Sequence, residues 1–200
     1  MKKFAIDIVL LPPDPVMNIA LEWNRELCKG RPDNIVLNKT NYLPHITMAM
    51  GCVSESRLQR ANEMLRTLAN HHKMLELQIS NVKSIGTASG NTVIALDIEN
   101  NVGLTELHES IVKAFQTLLS QDATAGDMYD PPPIETSSIE WINRFIPHYC
   151  FEHFWPHITL GFGAPPSNFQ PLSFQASRLA ICHLGNYCTC RSILGESRLK

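Results

Sequence analysis

The sequence repeats itself at Pro44-His45-Ile46-Thr47-Met48-Ala49-Met50-Gly51 and Pro156-His157-Ile158-Thr159-Leu160-Gly161-Phe162-Gly163, where five of eight positions are identical. The other three positions exchange one apolar or small residue for another. In both stretches apolar residues alternate along the chain, which predicts a β-strand with one buried face. The histidine and the threonine are two residues apart, so both point to the opposite face. Each half of the chain therefore carries one His-x-Thr pair on a strand.

The segments that precede the two histidine strands also resemble each other. Residues 4–11 form an apolar run that predicts a buried strand, and residues 16–27 have apolar positions at helical spacing. Residues 91–98 and 104–118 repeat this order of strand and helix, and Ala5-Ile6-Asp7-Ile8 matches Ala95-Leu96-Asp97-Ile98. The order of strand, helix and histidine strand thus occurs twice.

The remaining elements follow from local signals. Ser54 is a candidate N-cap for an amphipathic helix that ends near Asn70. Strands are predicted at 75–85 and 91–98, joined by the turn Ser89-Gly90-Asn91. Two final strands, 172–183 and 187–194, meet at a turn around Gly185 and Asn186.

The second half carries an insertion before its histidine strand. Asp7 and His45 are 38 positions apart, whereas Asp97 and His157 are 60 apart, a difference of 22. The inserted segment, 121–155, begins with acidic residues and prolines, and we expect a long loop that acts as a lid. Its acidic beginning would repel a long polyanion and favours a short substrate.

Composition limits the class of protein. With 200 residues and 44% hydrophobic content, we expect one bilobal domain over 1–200. The net charge of -2 argues against a protein that holds long nucleic acid by neutralising phosphates. No stretch is long and apolar enough to span a membrane, and the N-terminus predicts no signal peptide. We expect a cytoplasmic monomer whose six cysteines are mostly reduced.

Two His-x-Thr-x motifs, each on a strand that follows a strand-helix unit, resemble the 2H phosphoesterase superfamily, which includes 2'-5' RNA ligase-like proteins and cyclic nucleotide phosphodiesterases. The resemblance covers nearly the whole chain. It implies a bilobal, pseudo-symmetric α+β fold in which two antiparallel sheets line a central cleft with helices outside. It also implies that His45 and His157 are catalytic and that Thr47 and Thr159 bind the substrate phosphate.

The resemblance implies a metal-independent reaction on a 2',3'-cyclic phosphate, a 2'-5' linkage or a related nucleotide end, with no cofactor. The substrate would be a nucleotide or a short RNA terminus. Histidine suits this chemistry, because its pKa near neutrality lets one imidazole take a proton while the other gives one. The rate should then pass through a maximum with pH. Which histidine is the acid and which is the base is left open by the sequence.

Several other readings of these residues stay open. Asp7 and Asp97 either orient the histidines or are ordinary strand residues. Three aromatic residues beside the motifs, Tyr42, Trp155 and Tyr187, either stack on a nucleobase or pack in the core. The same two alternatives hold for Phe154.

Competing functions are also open. RNA 2'-5' end joining could use the same residues, and a non-catalytic nucleotide-binding module could retain the cleft. Two His and Cys clusters are candidate zinc ligands, although neither has paired zinc-site spacing. A disulfide among the C-terminal cysteines is a further alternative. The first candidate zinc cluster consists of His148, Cys150, His153 and His157, and the second of Cys182, His183, Cys188 and Cys190.

Overall fold

The computed structural model describes residues 2–86, 90–165 and 168–200. Its strands form two antiparallel four-stranded sheets. In the first sheet the order is β2 (Ile46–Ser54), β1 (Lys3–Leu11), β7 (Arg178–Leu184) and β8 (Cys190–Arg198). In the second sheet it is β5 (His157–Phe162), β4 (Thr92–Ile98), β3 (Leu75–Gly86) and β6 (Leu172–Ala176). The four α-helices in the described residues are α1 (Asp14–Cys28), α2 (Leu58–His71), α3 (Val102–Phe115) and α4 (Thr136–Tyr149).

The two sheets are related by the repeat in the sequence. Each histidine strand lies at a sheet edge beside the matching strand of its own half, β2 beside β1 and β5 beside β4. The helices cross over, because α1 packs on β5 whereas α3 and α4 pack on β2. The predicted α+β fold with two antiparallel sheets is confirmed. The predicted turn Ser89-Gly90-Asn91 begins at Ser89, which lies outside the described residues.

The buried faces of the histidine strands are the predicted ones. Ile46, Met48, Ile158 and Leu160 each have 0% of their surface exposed. The histidines and threonines of both motifs are half-buried on the other face. Burial of these apolar side chains therefore fixes which way the polar pairs point.

The inserted segment is not the lid-like loop that we expected. It contains α4, whose residues Ile142 and Phe145 are buried and which packs on β2. Asn143 anchors the start of the insertion, since its side chain bonds both the backbone N–H and the C=O of Ala123 at 2.6 and 3.1 Å. The prolines at 131–133 precede the helix, and the apolar residues after them recur at helical spacing. The segment extends the core.

Ser54 does not cap a helix as predicted. A short 3-10 turn, Glu55–Arg57, separates it from α2, and its hydroxyl lies 3.2 Å from that of Ser56. The side-chain cap is instead found at α3, where Asn101 Oδ1 accepts a hydrogen bond from the Leu104 N–H at 2.9 Å.

Most of the cysteines are reduced, as expected, and Cys182 and Cys190 form a disulfide of the C-terminal kind that the sequence left open. They lie on neighbouring strands of the β7–β8 hairpin with their Cα atoms 5.5 Å apart, inside the usual range. The two residues are not opposite each other in the strand pairing, since Cys182 pairs with Ile193 and Cys190 pairs with Leu184. The other four cysteines, Cys28, Cys52, Cys150 and Cys188, are free thiols.

A buried histidine ties α3 to the first histidine strand. His108 is 0% exposed, and its Nδ1 donates to the Met48 carbonyl at 2.9 Å. Its Nε2 accepts a hydrogen bond from the Phe151 N–H at 3.0 Å, and its ring stacks on Phe154 at 3.8 Å. Phe154 is thus a core residue and not a base-stacking one. Burial lowers the pKa of His108 to about 4.

This histidine should make the fold sensitive to acid. The unfolded chain binds a proton at His108 near pH 6.5, whereas the folded chain resists it down to about pH 4. Stability contributed by neutral His108 should therefore be lost as pH falls through this window, by on the order of 3 kcal/mol. Urea unfolding at pH 7 and pH 4.5 measures the loss. In His108→Gln, which keeps a donor and an acceptor without a charge, the loss should be smaller; an equal loss in both proteins would contradict this role.

Within the described residues, none of the helices combines the length and the apolar character that a bilayer crossing requires.

Candidate active site

The two histidines are held in the same way by the backbone. His45 Nδ1 lies 2.7 Å from the Leu43 carbonyl oxygen, and His157 Nδ1 lies 2.9 Å from the Trp155 carbonyl oxygen. A carbonyl can only accept a hydrogen bond, so Nδ1 must carry the proton in the neutral ring. Each Nε2 is then left with a lone pair. In both motifs Nε2 is the atom that is able to exchange a proton.

The strands that carry the histidines share a backbone irregularity. The pairing of β1 with β2 shifts register at Met48, and the pairing of β4 with β5 shifts at Leu160. Both residues directly follow the motif threonine. Such β-bulges re-aim neighbouring side chains and are common beside active sites. The two half-sites therefore have matching backbones as well as matching residues.

Both motifs face one space, which we call the cleft and define by His45, Thr47, His157 and Thr159. Strands β2 and β5 approach each other here although they belong to different sheets. The histidines are close enough that a charge on His45 lowers the pKa of His157. The structure thus brings the two predicted pairs together.

Asp7 lies beneath the first motif. It is fully buried, and its Oδ2 accepts a hydrogen bond from the Thr47 hydroxyl at 2.6 Å. The same oxygen lies 3.6 Å from His45 Nε2. Asp7 Oδ1 is buried without a hydrogen-bond partner among the described residues. Burial raises the pKa of Asp7 well above its ordinary value, and the bond from Thr47 opposes this.

Asp97, at the matching position, makes different contacts. Its Oδ1 accepts a hydrogen bond from the Trp155 indole N–H at 2.6 Å, and its Oδ2 lies 2.9 Å from the Lys83 ammonium. The Trp155 ring stacks on the His157 imidazole with their centroids 4.0 Å apart. Asp97 therefore reaches His157 through Trp155 and not by a direct hydrogen bond.

The surroundings of the two histidines favour different charges. Burial lowers the pKa of His157 to about 4; the hydrogen bond to the Trp155 carbonyl and the charge on Asp97 oppose the fall, and charge on His45 or Lys83 adds to it. Burial also lowers the pKa of His45. Only His45 has a carboxyl oxygen within 4 Å of its ring in the described structure. His157 is hence neutral near pH 7, whereas His45 lies 3.6 Å from Asp7, a carboxyl whose raised pKa lets it supply a proton to that ring.

The two threonines also differ. The Thr47 hydroxyl is engaged by Asp7. The Thr159 hydroxyl has no hydrogen-bond partner within the part of the chain that the structure describes, and it is half-buried in the cleft. Thr159 is therefore ready to donate to a ligand, whereas Thr47 would first have to release the carboxyl oxygen.

The aromatic candidates have separate surroundings. Trp155 uses one ring face for His157 and lies 5.4 Å from the Lys83 ammonium. Tyr42 lies under the Arg191 guanidinium, 3.8 Å from its ring centre. Tyr187 is 38% exposed and touches Phe162 edge-on at 5.4 Å, so it reaches from the β7–β8 turn to the second sheet. Of the three, Tyr187 has the most accessible ring.

The alternative zinc clusters do not assemble. Among the described residues, no three His, Cys, Asp or Glu side chains are grouped as metal ligands would be. Cys150 is buried and donates to the Phe145 carbonyl, and His153 is exposed beside Glu152. The C-terminal cluster is used by the Cys182–Cys190 disulfide.

Sequence reasoning missed the surroundings of His157. Lys83 pairs in register with Ala95, which pairs with Thr159, so these three side chains share one face of the second sheet. Alternation along residues 75–86 predicts the face of the strand on which Lys83 lies. It does not predict which residues of the neighbouring strand lie beside Lys83, because that depends on the strand register.

This chain is similar to known proteins both in sequence, through a family model, and in fold, through solved structures. Residues 38–181 match the model of the 2'-5' RNA ligase superfamily. A search of curated proteins found no match. The crystal structure of TT0787 from Thermus thermophilus is similar, with a TM-score of 0.58, 17% identity, and coverage of 98% of this chain and 97% of that one.

Escherichia coli LigT is also similar. Its complex with 3'-AMP has a TM-score of 0.54 at 13% identity, covering 100% of this chain and 99% of LigT. Its complex with ATP gives the same score, identity and coverage. At these identities the likeness concerns the fold alone.

Proposed function

This chain belongs to the 2'-5' RNA ligase superfamily of 2H phosphoesterases, and we propose that it hydrolyses a cyclic phosphate or a 2'-5' phosphodiester at a nucleotide or RNA end without a metal. His45 and His157 are the proposed catalytic pair, and Thr47 and Thr159 are the proposed phosphate contacts. The observation that carries the proposal is the matched pair of imidazoles. Both have Nδ1 fixed by a carbonyl and Nε2 left for proton exchange in one cleft.

The unequal surroundings suggest how the two histidines divide the work. Neutral His157 takes a proton from water through Nε2 as the water oxygen attacks phosphorus. Protonated His45, beside Asp7, gives its Nε2 proton to the ribose oxygen as the P–O bond breaks. The products are a phosphomonoester and a free ribose hydroxyl. Proton exchange with solvent restores both rings.

The threonines would stabilise negative charge on the non-bridging oxygens. Thr159, whose hydroxyl is unengaged among the described residues, is the first contact. Thr47 joins when its hydroxyl turns from Asp7 to the phosphate. Tyr187 is the proposed nucleobase contact because its ring is the most accessible of the three aromatic candidates.

The proposed substrate is small. LigT has been crystallised with 3'-AMP and with ATP, which supports a nucleotide-sized ligand for this fold. The net charge of -2 argues against holding long RNA by neutralising many of its phosphates. A monomer in the cytoplasm is also our proposal; the Cys182–Cys190 bond would then meet a reducing environment.

RNA 2'-5' end joining is the second candidate, favoured by the name of the matching superfamily. It would use the same two proton transfers, with a ribose hydroxyl in place of water as the group that attacks the cyclic phosphate. A binding module without turnover is the third candidate.

An activity assay separates these candidates. A 2',3'-cyclic mononucleotide and a short 2'-5' linked oligonucleotide are each incubated with the protein in excess chelator. We expect turnover of at least one of them to a phosphomonoester or to shorter products. Joining of a cyclic-phosphate end to a hydroxyl end without hydrolysis would support the ligase. Nucleotide binding with no turnover of any substrate would support the binding module.

The pH dependence of kcat/KM should reflect both rings in the free enzyme. The base, His157, is neutral above about pH 4, and the acid, His45, is protonated only below a pKa that burial has lowered from 6.5. We therefore expect a rise near pH 4, a maximum on the acidic side of neutrality, and a fall above it. The charges on Asp97 and Lys83 act on His157 in opposite directions, the first raising its pKa and the second lowering it. A profile that keeps rising from pH 6 to pH 9 would contradict this assignment.

A further inference from the structure

The inserted segment reaches the β7–β8 turn with both backbone and side chains. The Tyr129 N–H donates to the Leu184 carbonyl at 2.8 Å. The Asp130 carboxylate accepts a hydrogen bond from the Asn186 N–H at 2.8 Å. The insertion therefore forms one unit with the turn that leads into β8.

At the start of β8, Arg191 is held on three sides. Its Nη1 lies 2.7 and 2.9 Å from the two carboxylate oxygens of Asp130. Its guanidinium lies 3.8 Å from the ring centre of Tyr42 and 5.3 Å from that of Tyr129. The side chain is only 10% exposed. A planar guanidinium placed between rings and a carboxylate has little freedom to move.

The residues next to this contact lead directly to the first histidine. The Leu43 N–H donates to the Cys190 carbonyl at 3.1 Å. Residues 42–43 therefore contact β8 through two adjacent pairs, Tyr42 with Arg191 and Leu43 with Cys190. The Leu43 carbonyl then accepts the hydrogen bond from His45 Nδ1 at 2.7 Å. The position of that carbonyl, and with it the direction of His45 Nε2, depends on how residues 42–43 lie against β8.

We propose that Arg191 is a positioning residue for His45, and that Asp130 of the inserted segment fixes Arg191 in turn. This inference rests on the proposed function, in which His45 is the acid. It gives the insertion a role in the site without any lid movement. His157 has separate support from Trp155, so the effect should be confined to one histidine.

The test uses a pair of variants at Tyr42. Tyr42→Leu removes the ring under the guanidinium and leaves all charges in place, whereas Tyr42→Phe keeps the ring. Arg191→Leu removes the guanidinium itself. The matched control is Arg178→Leu, because Arg178 makes a similar two-bond pair with Glu196, at 2.9 and 3.0 Å, at the other end of the same hairpin.

Two quantities are measured in each protein: kcat and KM for the substrate that the intact protein turns over, and the side-chain ¹⁵N shifts of the histidines, which report the tautomer. We expect Tyr42→Leu and Arg191→Leu to lower kcat about 10- to 100-fold, because displacements of about 1 Å have effects of this size. KM should change little. His45 should lose its pure Nδ1–H tautomer while His157 keeps its own. Tyr42→Phe and Arg178→Leu should behave like the intact protein.

Three results would overturn the proposal. An unchanged His45 tautomer in Tyr42→Leu would show that Arg191 does not control this ring. Equal changes at both histidines would mean general loosening. A raised KM with an intact kcat would make Tyr42 a substrate contact. If Arg191→Leu fails to fold, the Tyr42 pair decides. If the intact protein turns over no substrate, the proposed function fails, and the tautomer measurement still decides whether Arg191 holds His45.

Discussion

Replacing either His45 or His157 by alanine should lower kcat for a 2',3'-cyclic nucleotide by about 10² to 10⁴-fold, the usual worth of one general acid or base. Each replacement removes one of the two Nε2 atoms that exchange protons in the cleft. KM should change less, because the threonines still meet the phosphate. The double variant should be hardly slower than either single one, since groups that act in one step are not additive. Steady-state kinetics in chelator measure these effects.

The control for this prediction is His153→Ala. His153 lies in the same segment as His157, four residues earlier, and its side chain is 65% exposed. Its loss should leave kcat within about two-fold of the intact value. If either active-site variant kept more than a tenth of the intact rate while remaining folded, the two-histidine mechanism would be wrong.

Asp7→Asn should make the protein slower and more stable. The amide still accepts the Thr47 hydrogen bond but has no acidic proton to exchange with His45, so kcat/KM should fall about 10- to 100-fold. Burial raises the pKa of Asp7, so the unfolded chain releases this proton near pH 4 while the folded chain retains it to higher pH. Asp7 therefore costs stability as pH rises from about 4, and the variant should gain about 1 to 3 kcal/mol at pH 7.

Urea unfolding at several pH values and kcat/KM together test this trade. Asp97→Asn is the matched control, because Asp97 occupies the same place in the other half but is partly exposed and paired with Lys83. It should lose rather than gain stability. An Asp7→Asn protein that is as active as the intact one would show that Asp7 does not act with His45. A variant that is no more stable at pH 7 would show that burying this carboxyl does not cost stability.

The repeat around the histidines predicted the buried faces of two strands and a doubled order of elements. Alternation in two short stretches fixed the buried faces, because Ile46 and Ile158 must enter the core and so turn the histidines to the cleft. Matching strand and helix segments upstream showed that this order occurs twice, whereas the two antiparallel sheets were implied by the resemblance to the 2H phosphoesterase superfamily. These are local signals that a single sequence contains.

What the sequence could not predict depends on contacts between distant residues. The Cys182–Cys190 disulfide joins two residues that do not pair directly in the β7–β8 hairpin. Trp155 stacks on His157 and donates its indole N–H to Asp97, a residue 58 positions earlier in the chain. The helix in the inserted segment was not predicted, because the prolines that precede it are typical of a loop. Strand pairing, side-chain contacts and burial are established together when the chain folds. The spacing of residues along the sequence does not predict them.

The most direct test of the account is an NMR titration of the histidine side chains with a nucleoside 2'- or 3'-monophosphate, the type of product that the proposed reaction releases. We predict that one equivalent shifts the Nε2 resonances of His45 and His157 together, along one binding curve, while His108 and His153 stay unchanged. Such a result would mean that one phosphate meets both imidazoles. A shift at only one of them, or at neither when the nucleotide is bound, would contradict a shared catalytic cleft.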